Sequence, residues 1–242
     1  MTGVAPAESA SPFPDFSRAP NIASRPDLYE IENRAVDPDG LVLAALRSLA
    51  PWQGKTLVDL GCGTGYWLPG YAREAARVIG VEPDPQLREQ TAGRDPRARV
   101  LPGSAEHLPL ADASADVVHA RFAYFWPPHC GEGLAEVLRV LRPGGALVVI
   151  DNDQRKGEFA DLLRAADNQA QGQAEVTDAW WAGRGAHRAE VMSRWQFASR
   201  ADLEAVLRLE FPRPIADGWL AAHPGALGLS CGYVLFAVHK PG

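Results

Sequence analysis

The sequence is poor in cysteine, in long apolar runs and in clustered positive charge. Only Cys62, Cys130 and Cys231 occur, far apart and without a CxxC pair or a Cys/His cluster. That spacing excludes a disulfide framework and a structural zinc site, and it fits a reduced, cytoplasmic setting. No stretch approaches roughly 18 consecutive apolar residues, so no membrane-spanning helix is expected. Lys and Arg total 24 against 30 Asp and Glu, a formal net charge of −6. With no basic run, bulk-charge binding to nucleic acid is not expected.

What is present suits one large domain: 242 residues, 46% of them hydrophobic. Residues 1–22 are rich in Pro, Ser and Ala and lack a positive and apolar start, so they read as a flexible leader rather than a secretory signal. Residues 23–50 read as an N-terminal helical cap: Asp27 caps a helix over 28–35, and the Asp37-Pro38-Asp39-Gly40 turn leads into one over 41–49.

From Thr56 onward, strands alternate with helices. The strands are expected at 56–60, 77–82, 99–101, 115–119 and 146–150, with helices at 66–76, 85–91 and 131–141 between them. Such alternation predicts an α/β, doubly wound, mostly parallel seven-stranded sheet with helices on both faces. Residues 152–197 break the rhythm and read as an insertion with a helix near 159–170. Ser199 caps a helix over 200–207, and two closing strands are expected at 211–216 and 230–239.

The first strand ends at Asp59 and runs into Gly61-Cys62-Gly63-Thr64-Gly65. Glycines there permit a tight turn and let a flat ligand lie against the backbone. The third glycine of a dinucleotide fingerprint is absent; Tyr66 stands in its place.

This GxGxG loop with its preceding acid resembles the first motif of class I S-adenosylmethionine (SAM)-dependent methyltransferases. Four further stretches resemble the family in order and spacing. They are Val78–Asp84, Gly103–Leu110, Asp112–Arg121 and Leu138–Ile150 with its Arg-Pro-Gly-Gly turn. The resemblance covers residues 30–151 well and 199–240 loosely, and it implies SAM as cofactor and S-adenosylhomocysteine as product. It implies that Glu82, followed by Pro83, holds the ribose, and that Asp59, Gly61, Cys62, Gly63 and Gly65 hold the methionine portion. Ser104, Ala105 and Glu106 fall beside the adenine, with serine where the family often has aspartate. His119 falls at the cofactor-facing end of the fourth strand.

The acceptor is expected over the carboxyl ends of strands four and five. There, Arg121, Phe122, Tyr124, Phe125 and Trp126 suggest a wall for a flat or apolar small molecule. Tyr29 from the cap and Trp180 and Trp181 from the insertion are further candidates for acceptor binding. His119 and Tyr124 are candidate general bases, needed if the acceptor must lose a proton, and His129 is a weaker one. Asp151-Asn152 resembles part of a metal-dependent catechol site, but the companion acid is missing, so no metal is expected. The expected function is methyl transfer to a small organic acceptor by a monomer or homodimer. A protein or RNA acceptor, or a non-catalytic SAM-binding role, is the alternative.

Overall fold

The computed structural model describes residues 13–91, 93–167 and 170–242. Three short helices come first: α1 (Pro20–Ser24), α2 (Pro26–Ala35) and α3 (Leu41–Leu49). Five strands with three helices among them follow, beginning with β1 (Thr56–Leu60), α4 (Leu68–Tyr71), β2 (Arg77–Glu82), α5 (Pro85–Thr91) and β3 (Ala98–Pro102). Then come β4 (Ala115–Arg121), α6 (Gly131–Val140) and β5 (Leu141–Asn152). The chain ends with α7 (Glu158–Ala166), α8 (Ala170–Ala182), β6 (His187–Gln196), α9 (Arg200–Glu210), α10 (Arg213–Ala222) and β7 (Gly228–His239).

The seven strands form one sheet in the order β3-β2-β1-β4-β5-β7-β6. β1 to β5 are parallel to one another, whereas β7 runs antiparallel to both β5 and β6. Side chains alternate across the sheet with the two-residue period of a strand. Leu57, Val117, Val148 and Leu235 enter one core layer, and their neighbours Val58, Val118, Leu147 and Phe236 enter the other. Both faces are buried, so these strands read as continuous apolar runs. α3, α4, α7, α9 and α10 supply the first layer through Leu46, Leu68, Phe159, Leu203 and Leu220. α6 and α8 cover the other through Val137 and Trp181.

Several expected elements are displaced. The strand expected at 211–216 is a helix, because Pro212 ends the preceding extended segment and Ala216 and Leu220 share one buried helical face. The missing strand is β6, inside the supposed insertion. It is the sheet's edge, and its charged residues mask the alternation. The helix expected at 66–76 shrinks to α4, whose Pro69 and Gly70 favour turns. α2 starts at Pro26, with Asp27 inside the first turn paired to Arg25 rather than capping. The turn expected at 37–40 does lead into α3, and Asp37, not foreseen in this role, accepts from the Leu41, Val42 and Leu43 amides. Ser199 likewise accepts from the Asp202 amide.

Of the leader expected at 1–22, residues 1–12 lie outside the described residues. Residues 13–22 are packed against the carboxyl end of the sheet: Arg18 pairs with Asp84 at 2.8 Å, and Asn21 Nδ2 donates to Glu210 at 2.8 Å. α2 continues this cover. Glu30 pairs with Arg94 at 2.6 Å and accepts from the Thr64 hydroxyl, and Trp67 Nε1 donates to Asn33 at 3.2 Å.

Candidate active site

A cavity of about 710 Å³ opens at the carboxyl ends of β1, β2, β4 and β5, under residues 15–36. Strand ends converge there because in an open parallel sheet the βα loops on either side of a strand-order reversal diverge and leave a crevice. β1 is the strand from which the order runs one way through β2 and the other through β4.

One end of the cavity is the glycine loop. Gly61 has φ of +70°, a conformation that favours glycine, and a Cβ built on it would lie 2.6 Å from Ala123 Cβ. Gly63 has φ of +56°, and a Cβ there would press on Ile22 at 3.1 Å. The loop is thus tight on both sides, with its backbone toward the cavity.

Glu82 ends β2 and is anchored by two amides: Gly63 N–H donates to one carboxylate oxygen at 2.8 Å and Asp84 N–H to the other at 2.9 Å. Burial pushes its carboxyl up to about 7 against those donors. Asp59 is also pushed up to about 7 by burial, with Arg121 opposing the shift and Glu82 adding to it. Each bound group therefore retains acceptor capacity toward the cavity while losing solvent. Cys62, Pro83, Ser104, Ala105 and Glu106 line the same end. Asp15 reaches in to accept from the Glu106 amide at 3.3 Å.

The other end is built from Tyr29, Glu32, Arg121, Phe122, Trp195 and Glu210, with Asp151, Asn152 and Trp126 beside them. Phe122 and Tyr124 follow β4 with φ of 51° and 60°. Left-handed backbone costs a non-glycine residue about 1 kcal/mol or more, so packing must hold this turn. One such hold is Tyr124. Its hydroxyl donates to Glu106 at 2.6 Å and accepts from the Gly133 amide at 3.1 Å. Gly133 is glycine because a Cβ there would sit 2.2 Å from the tyrosine ring. The Arg121 guanidinium lies 3.9 Å over the Trp67 ring, and its Nε has no partner. Asp151 is pushed up to about 6 by burial, opposed by the Asn152 amide and the Trp126 indole.

Most of the residues expected at the site meet here: Tyr29, Asp59, Gly61, Cys62, Gly63, Glu82, Pro83, Ser104, Ala105, Glu106, Arg121, Phe122, Tyr124 and Trp126 all line the cavity. Five do not. Gly65 turns away, packed against Leu68 and Thr91. His119 is fully buried between Trp52 and Tyr71, 5.3 Å from each ring, and neither ring nitrogen has a partner. Burial pushes its pKa down to about 3, so it is a neutral core residue rather than a base at the cavity. Phe125 and Trp181 pack on each other at 5.7 Å, and Trp181 stacks on Phe236 beneath the opposite face of the sheet. Trp180 abuts Trp181 there and carries Arg184 over its ring. Tyr124 does reach the cavity, but its hydroxyl is already committed, and burial with the Glu106 bond holds the phenol above its ordinary range. His129 also lines the cavity.

Sequence reasoning missed Asp15, Arg18 and Asn21, because a Pro/Ser-rich segment carries no periodicity. Trp195 is buried against Phe159 at 4.8 Å and donates to the Tyr233 hydroxyl at 2.8 Å, and it also borders the cavity. Glu210 had no signal at all. Among the described residues, no group of three His, Cys, Asp or Glu side chains is arranged to hold a metal ion.

Residues 58–149 match the family profile described as a methyltransferase domain. An uncharacterised methyltransferase of Mycobacterium tuberculosis is 34% identical over 120 residues, covering 49% of this chain and 49% of its own. The malonyl-acyl-carrier-protein O-methyltransferase of Yersinia pestis is 31% identical over 125 residues, 52% of this chain and 46% of its own. The chain thus spans about half the length of the curated relatives it matches. The YcgJ protein of Bacillus subtilis, at 18% identity, shares the fold with a TM-score of 0.54 over 83% of this chain and 98% of its own. Residues 58–149 are thus similar to a methyltransferase domain, and the sheet order is that of a methyltransferase-like fold.

Proposed function

We propose that the protein transfers the methyl group of SAM to a small organic acceptor bound at the aromatic end of the cavity. The observation that carries this reading is the continuity of one cavity. It joins the glycine loop and Glu82 at one end to Tyr29, Phe122, Trp195 and Arg121 at the other. The residues present fit SAM: a glycine loop lining the cavity, and a buried carboxylate at Glu82 preset by two amides.

In this reading, Glu82 accepts from the two ribose hydroxyls, bonds strengthened by its charge. Asp59 and the amides of Gly61, Cys62 and Gly63 hold the methionine portion. Ala105 and Glu106 border the adenine, and Ser104 is a poor adenine partner because its hydroxyl lies 3.4 Å from His107 Nδ1. SAM, when bound, supplies an electrophilic methyl group on a sulfonium sulfur. The chain's part is to align the acceptor for in-line attack and to exclude water. Residues 13–36 do the latter by covering the cavity, held by the Arg18–Asp84 and Glu30–Arg94 pairs.

The small-molecule reading rests on the cavity's volume of about 710 Å³ and on the net charge of −6, which disfavours RNA. No described helix is long and apolar enough to cross a membrane; with the dispersed free cysteines, this supports a cytosolic enzyme. Calorimetric titration with S-adenosylhomocysteine, with NADH as control, tests the cofactor. Micromolar binding of the first alone is expected. Methyl transfer from labelled SAM to a panel of small hydroxyl- and amine-bearing acceptors tests turnover; binding without any turnover would favour a non-catalytic SAM-binding role.

A further inference from the structure

The aromatic end of the cavity holds two carboxyl groups that form no ion pair among the described residues. Glu32 projects from α2 and Glu210 from the last residue of α9, and both line the cavity. They are close enough to hydrogen-bond to each other. Glu210 accepts from Asn21 Nδ2 at 2.8 Å, while Glu32 Oε2 is buried without a partner. Neither carboxylate has an arginine, lysine or histidine ion-pair partner among the described residues. Three other acids of the cavity are answered. Asp84 has Arg18, Glu82 has two amides, and Glu106 has Tyr124 and is flanked by Asp15.

Arg121 adds an independent sign that a polar ligand belongs here. It is 8% exposed, lines the same cavity, and leaves its Nε unpartnered. Around Glu32 and Glu210 stand the rings of Tyr29, Phe122 and Trp195. Aromatic faces carry negative potential and attract cations, as carboxylates do. A neutral alcohol would leave the buried acids uncompensated, which is costly, whereas an ammonium would compensate them.

We propose that Glu32 and Glu210 bind the basic nitrogen of an amine acceptor, so that the protein is an N-methyltransferase of small aromatic or apolar amines. This rests on the methyltransferase reading above. The amine enters as its ammonium form and passes one proton to the Glu32–Glu210 pair, which frees the nitrogen lone pair. That lone pair forms the new N–C bond while the C–S bond breaks and its electrons remain on sulfur. The sulfonium charge thereby moves to the methylated nitrogen, where the carboxylate of the pair that did not take up the proton compensates it. Burial holds both carboxyl groups above the ordinary carboxylate range; Glu210 raises Glu32 further, whereas the bonds from Asn21 and Glu32 pull Glu210 back, and a pair so raised suits proton uptake.

The test is calorimetric binding of three matched probes, phenethylamine, 2-phenylethanol and phenylacetate, to the full chain with and without S-adenosylhomocysteine. At least tenfold tighter binding of the amine than of either other probe is expected. In Glu32→Gln/Glu210→Gln that preference should vanish while S-adenosylhomocysteine affinity stays within twofold. The single Glu210→Gln variant, which keeps the Asn21 bond through its carbonyl, should show an intermediate loss. Equal binding of amine and alcohol, tighter binding of phenylacetate, no binding of any probe, or an unchanged preference in the double variant would overturn the proposal. Loss of S-adenosylhomocysteine binding in the unaltered protein would instead strike the cofactor reading, and the amine comparison on the ligand-free chain stands apart from it.

Discussion

Replacing Glu82 with alanine probes the cofactor site most directly. The carboxylate is 4% exposed and fixed by the Gly63 and Asp84 amides at 2.8 and 2.9 Å, so it is preorganised before any ligand arrives. Hydrogen bonds to a charged group contribute roughly 1.5–3 kcal/mol. Loss of the ribose contact should therefore weaken S-adenosylhomocysteine binding by roughly 10- to 150-fold. A pH signature accompanies it. With the carboxyl at about 7, only the ionised fraction is ready to accept from both hydroxyls. Apparent affinity falls with that fraction, so the unaltered protein should bind roughly tenfold tighter at pH 8 than at pH 6. Removing Glu82 should flatten most of that slope, leaving the part due to Asp59. Calorimetry at the two pH values, with circular dichroism to confirm folding, measures both effects. An unchanged dissociation constant in a folded Glu82→Ala protein would refute the ribose assignment and the magnitude reasoning together.

His119→Phe should retain S-adenosylhomocysteine binding, because the ring lies in the core between Trp52 and Tyr71. His119 stays neutral when folded down to about 3, while the unfolded imidazole protonates near its usual value of about 6.5. Its contribution to stability is thus lost as pH falls below about 6.5, and the variant should gain roughly 2 kcal/mol on the parent between pH 7 and 5 in urea melts. The buried carboxyls act in the opposite sense. Asp59 and Glu82, raised to about 7, and Asp151, raised to about 6, destabilise the folded state as pH rises from about 4 to 7, so Asp59→Asn should flatten that slope. Tyr124→Phe should lower stability by roughly 1–3 kcal/mol, since the Gly133 amide loses its acceptor. Its turnover should keep the parental pH profile, and a missing basic limb would restore the tyrosine as a base. Trp181→Ala should cost roughly 3–5 kcal/mol in thermal or urea unfolding without altering acceptor KM where it remains folded.

The parallel half of the sheet was legible because each of its strands is an apolar run buried on both faces and followed by turn residues. Thr56–Leu60, Arg77–Glu82 and Ala115–Arg121 fall where expected. The antiparallel edge was not. β6 alternates half-buried residues with Arg188, Glu190 and Arg194, which pair with Asp178, Lys156 and Asp39. Salt-bridged edge strands carry charge where a core strand carries valine, so a pattern search takes them for loops. At Pro212–Ala216 the opposite error arose. Its apolar residues Ile215 and Ala216 suit a strand by composition, but the structure sets them in a helix entered through proline.

The same physics divides the site. Contacts made by a loop between adjacent elements leave a local signature: the glycines and Glu82 are set by their spacing from β1 and β2, and sequence alone locates them. Contacts across the fold leave none. Glu32 and Glu210 come from helices at opposite ends of the chain, and α2 and α9 pack together to bring them into one cavity. His119 shows the converse. Its position at the expected strand end looks like a site position, but β4 continues two residues further, to Arg121. Arg121, two residues on along the same strand, lies at the cavity rim, while His119 lies one pleat deeper, in the layer of Trp52 and Tyr71. Acceptor specificity is therefore the part of this protein least accessible to motif reasoning. It is set by the packing of α2, α9 and residues 13–22: both helices are legible one by one, but no local pattern records that they meet.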